Sequence, residues 1–401
     1  MSQVLSGYKV VDFTHVLAGP IATNYLCLHG AEVIKIESQQ GDAMRNYAGD
    51  GPPKEGGIDF SPSFVSVNTG KRSIVLDLKL PEHKKVALKL IAQADVVVEN
   101  FRSGVMDRLG LGFEVCKKIK PDIVFCSISG FGQTGPLKNN PALDQIIQSM
   151  SGLMTLSGEE GSASMRIGFP IVDTFTGTLA AMAIVMALLR RERIGKGQFI
   201  DIAMLDAAMT MMVSVAGPLL VSGVKPKKTG NLGYSKSPTA DTFPTGDGEI
   251  TLGVTRQDQF EKLCSVIGRK DLISDKRFLD KWARQRNGGV LRGEIILALT
   301  AHSSLEWERL LNSQGIAASS VRDLPGAIDH PHFQHRQMTM SAGLSGDANS
   351  AKILNTGFQF MDDPASVYGP PPKLGAHTRQ ILTELGYDAE EISSIAGGIV
   401  Q

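Results

Sequence analysis

The residue best suited to covalent chemistry is Asp173, set in GFPIVDTFTG just before a long run rich in Ala, Met, Leu and Ile. Thr178 to Leu189 reads as the body of a helix that basic residues and Gly195 then close. At a helix start a carboxylate meets unpaired backbone N–H groups and the positive end of the macrodipole. Both favour the ionised form near neutral pH. Such a carboxylate, with little bulk around it, is a nucleophile toward an activated acyl group. Asp is also a preferred helix cap, and the local sequence by itself favours that plainer role.

A second set of residues is cationic. Lys71 and Arg72 precede the run SIVLDL, Lys79 follows it, and Arg102 and Arg108 follow DVVVENF. Positions just past the carboxyl ends of parallel strands line the crevice where such sheets bind ligands. Lys79, Asn100, Arg102 and Arg108 gathered at one rim would suit a polyphosphate tail, against the alternative of an ordinary solvated face. Gly130, Gly132 and Gly135 spell G-x-G-x-x-G after a strand. Pro136 and the Asn139-Asn140-Pro141 run interrupt the helix that a dinucleotide fingerprint must open, so that reading is set aside. His330, His332 and His335 are spaced H-x-H-x-x-H around Pro331 with no ordering carboxylate, and read as surface loop histidines; no metal is expected.

These residues need a scaffold, and the apolar pattern supplies one. Strands are predicted at Lys9 to Phe13, Glu32 to Ile36, Ser73 to Leu78, Asp95 to Glu99 and Ile123 to Ser129. Helices fall between them, one closed by Gly30, one at Pro81 to Ala94 and one at Glu114 to Lys120. Strands alternating with helices imply an α/β protein whose mostly parallel sheet is covered on both faces. A second long helix is predicted from about Ile202 to Val221. The composition then shifts to Gly, Pro, Lys and Ser, and residues 225–325 read as a smaller α/β domain. It has a strand at Glu249 to Val254 and helices at Gln257 to Ile267, Arg286 to Ala301 and Ser304 to Gln314. Helical signals return at Thr378 to Leu385 and Ala389 to Ala396.

Over 401 residues, 41 basic and 41 acidic side chains cancel, which argues against a nucleic-acid partner. Cys27, Cys116, Cys126 and Cys264 form no CxxC pair, so a reducing cytoplasm is the expected location. MSQVLSGYKVVDF lacks the pattern of a signal peptide. The apolar core of the helix after Asp173 counts about a dozen residues, too short to span a bilayer, and reads as a buried core helix.

Six segments, DFTHVLAGPIAT, GAEVIKIE, NTGKRSIVLDLK, DVVVENFRSGVMDRLGLG, SISGFGQTGP and GFPIVDTFTG, occur in an order that resembles the class III coenzyme A transferase family (CaiB/BaiF type). This group includes formyl-CoA and carnitine-CoA transferases and α-methylacyl-CoA racemase. GKGQFIDIAMLDA and LGAHTRQILTELGY extend the likeness over almost the whole chain.

The resemblance implies a Rossmann-like large domain built from residues 1–224 and 326–401, a small domain at 225–325, and two chains interlocked as rings. It implies that Asp173 attacks an acyl-CoA thioester, with CoA as substrate and no permanently bound cofactor. It places CoA against Val16, Leu17 and Ala18, against Leu76, Asp77, Leu78 and Lys79, and against Asn100, Phe101, Arg102 and Arg108. Gly168 and Gly177 would leave room for acyl groups.

Leu17 stands where formyl-CoA transferases carry Gln, and Ser38 stands where that subgroup has a nucleotide-binding Arg. Leu143 stands where the racemases carry a catalytic His, which favours CoA transfer over racemisation. The implied activity is acyl-CoA:carboxylate CoA transfer, with succinyl-CoA a plausible donor. Transfer between two carboxylates of one acid is the alternative.

Overall fold

The computed structural model describes residues 3–47, 61–344 and 351–397. Near-continuous Val- and Ile-rich runs become six strands, β1 Lys9–Asp12, β2 Glu32–Glu37, β3 Arg72–Val75, β4 Val96–Glu99, β5 Val124–Ser129 and β6 Gln198–Ala203. They form one parallel sheet in the order β3-β2-β1-β4-β5-β6. Val10 of β1 lies opposite Val33 on one side and Val96 on the other. The chain order therefore reverses between β1 and β4, and a crevice opens at their carboxyl ends.

The helices of this part are α1 Ala18–Leu28, α2 Pro62–Asn68, α3 Pro81–Gln93, α4 Val105–Leu109, α5 Phe113–Ile119, α6 Asp144–Met150, α7 Ile171–Ile194, α8 Met204–Met211 and α9 Val213–Ser222. A three-stranded antiparallel sheet follows, β7 Thr242–Pro244, β8 Glu249–Leu252 and β9 Ala318–Ser320. With it go α10 Gln257–Val266, α11 Asp271–Ser274, α12 Lys281–Arg286, α13 Gly288–Leu299, α14 Ser304–Ser313 and α15 Leu324–Ile328. The last elements are α16 Pro331–His335, the antiparallel pair β10 Thr339–Ser341 and β11 Lys352–Leu354, α17 Thr378–Glu384 and α18 Ala389–Ala396.

The chain divides into two compact units. One comprises Met1–Leu153, Arg166–Val224 and His335–Gln401; the other comprises Met154–Met165 and Lys225–Gln334. Successive side chains of a strand point to opposite faces, so the large sheet carries two apolar layers. Val11, Ile34, Ile74 and Val97 pack with α3, α17 and α18 through Leu90, Ile381 and Ile395. Val10, Val33, Val96 and Val124 pack with α1 and α7 through Ala22, Leu26, Ala180 and Ile184. The second unit closes around Phe243, Phe260, Leu291 and Trp307.

Two sequence expectations need correction. The predicted helix from Ile202 to Val221 begins instead as β6, whose Ile200 and Ile202 alternate into the sheet core. It then continues as α8 and α9, bent by 80°. The helix carrying Asp173 runs 24 residues and, by length and composition alone, is long and apolar enough to cross a membrane. Its Ala180, Ile184, Ala187 and Leu188 belong to the core shared with α1, so the shortness argument fails while the core-helix reading stands.

Candidate active site

The turn after β1 is held from below. Val16 adopts a left-handed φ of 68°, unusual for a β-branched residue. Its N–H donates to Asp42 at 3.1 Å, while the Lys35 ammonium donates to the Thr14 carbonyl at 2.6 Å and pairs with Asp42 at 3.0 Å. Deeper still, Lys71 meets Asp12 at 3.1 Å, Thr23 at 2.8 Å and Asn68 at 2.9 Å. Burial works to raise the Asp12 carboxyl, but Lys71 and Lys35, with the Thr14 and Thr23 hydroxyls, outweigh it and hold it at about 2. The turn is joined to the loop after β4 by Asn100, whose amide accepts from the His15 N–H and donates to the His15 carbonyl, both at 2.8 Å. The two loops thus meet where the strand order reverses.

Asp173 is the third residue of α7, after Pro170, which offers no side-chain cap. The first-turn N–H groups of that helix go elsewhere. Asp144 Oδ2 accepts from Val172 at 2.8 Å and from Asp173 at 3.1 Å. The Asp173 carboxylate itself accepts no hydrogen bond among the described residues. Burial, and then the neighbouring Asp144 charge, push it up to about 7. The helix start thus stabilises the Asp173 anion less than expected, because a second carboxylate already occupies the positive end.

Asp173 lines a cavity of about 180 Å³ together with Val16, Leu17, Ala18, Asn100, Phe101 and Arg102. Ser129, Gly130, Lys138, Ala142 and Leu143 form another wall. A neighbouring cavity of about 360 Å³ shares Arg102, Ser103 and Lys138 with it. The remaining sequence candidates lie outside the Asp173 cavity. Leu76 is 1% exposed in the sheet core, so its side chain cannot face a ligand. The Asp77 N–H donates to His83 Nδ1 and its carboxylate accepts the Lys79 N–H. Leu78 packs partly buried on the core, and Lys79 and Arg108 are exposed. Lys71, in the buried network, and Arg72, paired with Glu32 and Glu384, are not rim cations.

Gly177 needs a different explanation from acyl-group clearance. A Cβ there would lie 2.4 Å from the Ala18 carbonyl oxygen and 2.8 Å from Ile21 Cβ, so its smallness admits α1. Gly177→Ala should therefore cost about 1–3 kcal/mol in thermal or urea unfolding. It should also raise KM for acyl-CoA by displacing Val16 to Ala18, which steady-state kinetics would read. The G-x-G-x-x-G stretch is a loop running on to α6, with no helix opened by its glycines. His332 and His335 are exposed on the short α16, which replaces the predicted loop. Among the described residues no three His, Cys, Asp or Glu side chains gather as metal ligands would.

The family model for CoA-transferase family III matches residues 5–378. The chain belongs to this family. It is accordingly an enzyme of the transferase class, acting in acyl-CoA chemistry. Among its relatives, the succinate–glutarate CoA-transferase of Agrobacterium fabrum is 33% identical over 391 residues, covering 95% of each chain. The acetyl-CoA:oxalate CoA-transferase of Acetobacter aceti is 36% identical over 368 residues, covering 91% of this chain and 92% of its own. A solved CAIB/BAIF family protein from Brucella suis aligns with a TM-score of 0.86 at 34% identity, over 96% of this chain and 100% of its own. The parallel six-stranded sheet is thus the sheet of this family's fold.

Sequence reasoning about this CoA-transferase missed the hydrogen bonds of Asp144 to α7, and Ser129, Met204 and Ala142 in the cavity wall. Asp144 did carry a signal, since an Asp preceding an apolar run marks a helix start. Its partners stand 28 and 29 residues further on, beyond any local pattern.

Proposed function

We propose that this family III enzyme moves CoA from an acyl-CoA to a free carboxylic acid, with Asp173 as the nucleophile. The observation that carries the reading is an Asp173 carboxylate that accepts no hydrogen bond among the described residues and lines a cavity with Val16 to Ala18 and Asn100 to Arg102 at the sheet's switch point. An Asp173 oxygen attacks the thioester carbonyl, the C–S bond breaks, and CoA leaves as thiolate with the electron pair. The thiolate then attacks the Asp173 carbonyl of the resulting anhydride, and the donor acid leaves as carboxylate. The acceptor carboxylate reverses both steps on the aspartyl-CoA thioester, so one hard exchange becomes covalent halves. Leu76 to Lys79 and Arg108 would extend the CoA contacts, Leu76 through its backbone. CoA is a substrate here, and no resident cofactor is part of the reading.

Dicarboxylates are the acids we favour, with succinyl-CoA as donor. The named relatives act on glutarate and oxalate, and Lys138 in the cavity wall supplies a cation for a second carboxylate. Leu143 in that wall moves no proton, which weighs against racemase chemistry. We assign CoA binding to the unit with the six-stranded sheet. An interlocked homodimer belongs to the same proposal, supported by α9, none of whose residues is buried and whose Leu220 and Val221 are 82% and 86% exposed. Cytoplasmic residence is proposed on four free, buried cysteines.

The test is to give the enzyme succinyl-CoA alone, then with glutarate or oxalate, trapping with hydroxylamine before peptide mass spectrometry. The expected result is ping-pong exchange that requires the second acid, with the label on the peptide holding Asp173. Isomerisation of an unsymmetrical dicarboxylyl-CoA without a free acid would instead mean intramolecular transfer, since the symmetrical succinyl-CoA would return itself, and a label on another peptide would end the assignment of Asp173.

A further inference from the structure

α7 begins without a cap of its own, and the group that caps it comes from a different helix. Asp144, the first residue of α6, directs Oδ2 to the Val172 and Asp173 N–H groups at 2.8 and 3.1 Å. Its other oxygen is not idle, because Gln148 Nε2 donates to Oδ1 at 2.6 Å. Gln148 is fully buried, and its Oε1 accepts the Ile167 N–H at 2.9 Å, tying in the segment that leads to α7. One carboxylate and one amide thereby fix where α7 starts and which way Asp173 faces.

We propose that Asp144 is a positioning residue for CoA transfer: by capping α7 from outside, it keeps the helix N–H groups away from the Asp173 carboxylate and leaves that carboxylate an unbonded anion beside a like charge. The inference rests on the reading of Asp173 as nucleophile.

The physical consequence is a bias among the states of Asp173. A carboxylate wrapped in N–H donors is stabilised as an anion and is a poor nucleophile. Without donors and next to Asp144, the anion is raised in energy relative to every uncharged form of the residue. Protonation removes its charge, and so does acylation. When the Asp173 oxygen bonds to the acyl carbon and thiolate departs, the negative charge moves from beside Asp144 to sulfur. The same repulsion therefore drives the anhydride and the aspartyl thioester forward, at the cost of some protonation at neutral pH. The push of Asp173 to about 7 agrees with this geometry. Among the described residues, the other charged groups facing the cavity are Arg102, from the loop after β4, and Lys138, from the loop before α6. The β1 turn, α1 and α8 present only Val16, Leu17, Ala18 and Met204.

The experiment is single-turnover labelling of Asp173 by acyl-CoA from about pH 5 to about pH 9, comparing the enzyme with Asp144→Asn. The amide keeps the shape and one acceptor oxygen but removes the charge. The expected result is two crossing profiles. Above about pH 8 the variant labels about threefold more slowly, because its carboxylate is about one unit less basic and nucleophilicity falls by only part of that change. Its acid limb lies about one pH unit lower, so at the acid end it labels faster than the parent enzyme. A purely structural role would lower the rate in parallel at every pH, and parallel or superimposed profiles overturn the proposal. Should Asp144→Asn not fold, the parent's own limb and Asp144→Glu decide. A parent limb at an ordinary carboxylate value near about 4 overturns the proposal, while a limb near about 7 that Asp144→Glu retains supports it. Absence of any label on Asp173 in the parent enzyme is a separate outcome and removes the nucleophile reading itself.

Discussion

Asp173→Asn is expected to abolish CoA transfer, lowering kcat by at least about 10³-fold, because the amide cannot form the anhydride. Initial rates of acyl-CoA consumption, read before slow deamidation restores the acid, measure this. The same variant should be more stable than the parent at neutral and alkaline pH. The Asp173 carboxyl titrates at about 7 in the fold against 3.8 in a free chain, with burial as the larger cause and Asp144 as the second. A folded-state value raised above the unfolded one means that ionisation destabilises the fold. That penalty is absent below the unfolded value, grows between the two and is complete above about 7. Replacing the group by a neutral amide should thus add roughly 2–4 kcal/mol at pH above about 7 and almost nothing below about 4. Urea unfolding at two pH values separates this from a variant that is inactive because it is misfolded. Unchanged turnover in Asp173→Asn would remove the proposed mechanism altogether.

The second large effect lies beneath the site. Asp12→Ala should cost about 3–5 kcal/mol, because Lys71, which burial already pushes down to about 8, would lose the carboxylate that favours its charge and be left as an unpaired amine in a dry interior. Asp12 and the Lys71 side chain are both inaccessible to solvent, and Lys35 stands close enough to depress the same carboxyl. Since that carboxyl is held at about 2, below its free value of 3.8, its contribution is present above about 4 and disappears as the pH falls through about 2. The parent should therefore lose stability across that acid window, and Asp12→Ala should lose less. Transfer activity should fall along with stability, since Lys35 and Asp42 hold the Thr14 and Val16 backbone.

Much of this was readable from the chain because the signals were local. KVVDF, EVIKIE and DVVVE are β-branched runs of strand length flanked by turn residues, and they became β1, β2 and β4. AEEISSIA became α18 with the predicted bounds, its start fixed by an Asp388 capping box. The strand QFIDIA went unpredicted because its alternation runs straight into the apolar α8, and its last two residues, Ile202 and Ala203, fell within the predicted helix. At the site, local chemistry gave the helix that Asp173 heads, but by itself favoured a capping role that the structure gives to Asp144 instead. It missed the upward push on the Asp173 carboxyl, since the N–H groups that ought to stabilise the anion are claimed by Asp144 from another helix. Lys71 shows the same limit: nothing in the chain around it records that the fold turns it inward onto Asp12. Side-chain direction is set by tertiary packing, which spacing along the chain does not record.

The near-contact of Gly177 with the Ala18 carbonyl has a consequence for how new substrate preferences could arise in this enzyme. With Asp173 one turn before Gly177, and Ala18 and Ile21 pressed against that same helix, the proposed nucleophile and the turn proposed to hold the thioester are coupled through one packed contact. Enlarging the acyl chamber by shifting one against the other would unseat both. Divergence toward bulkier or longer acids is therefore channelled into side chains of the opposite wall, Lys138, Asn140 and the exposed Leu143, while Ala142 is itself fixed by its close approach to Gly130.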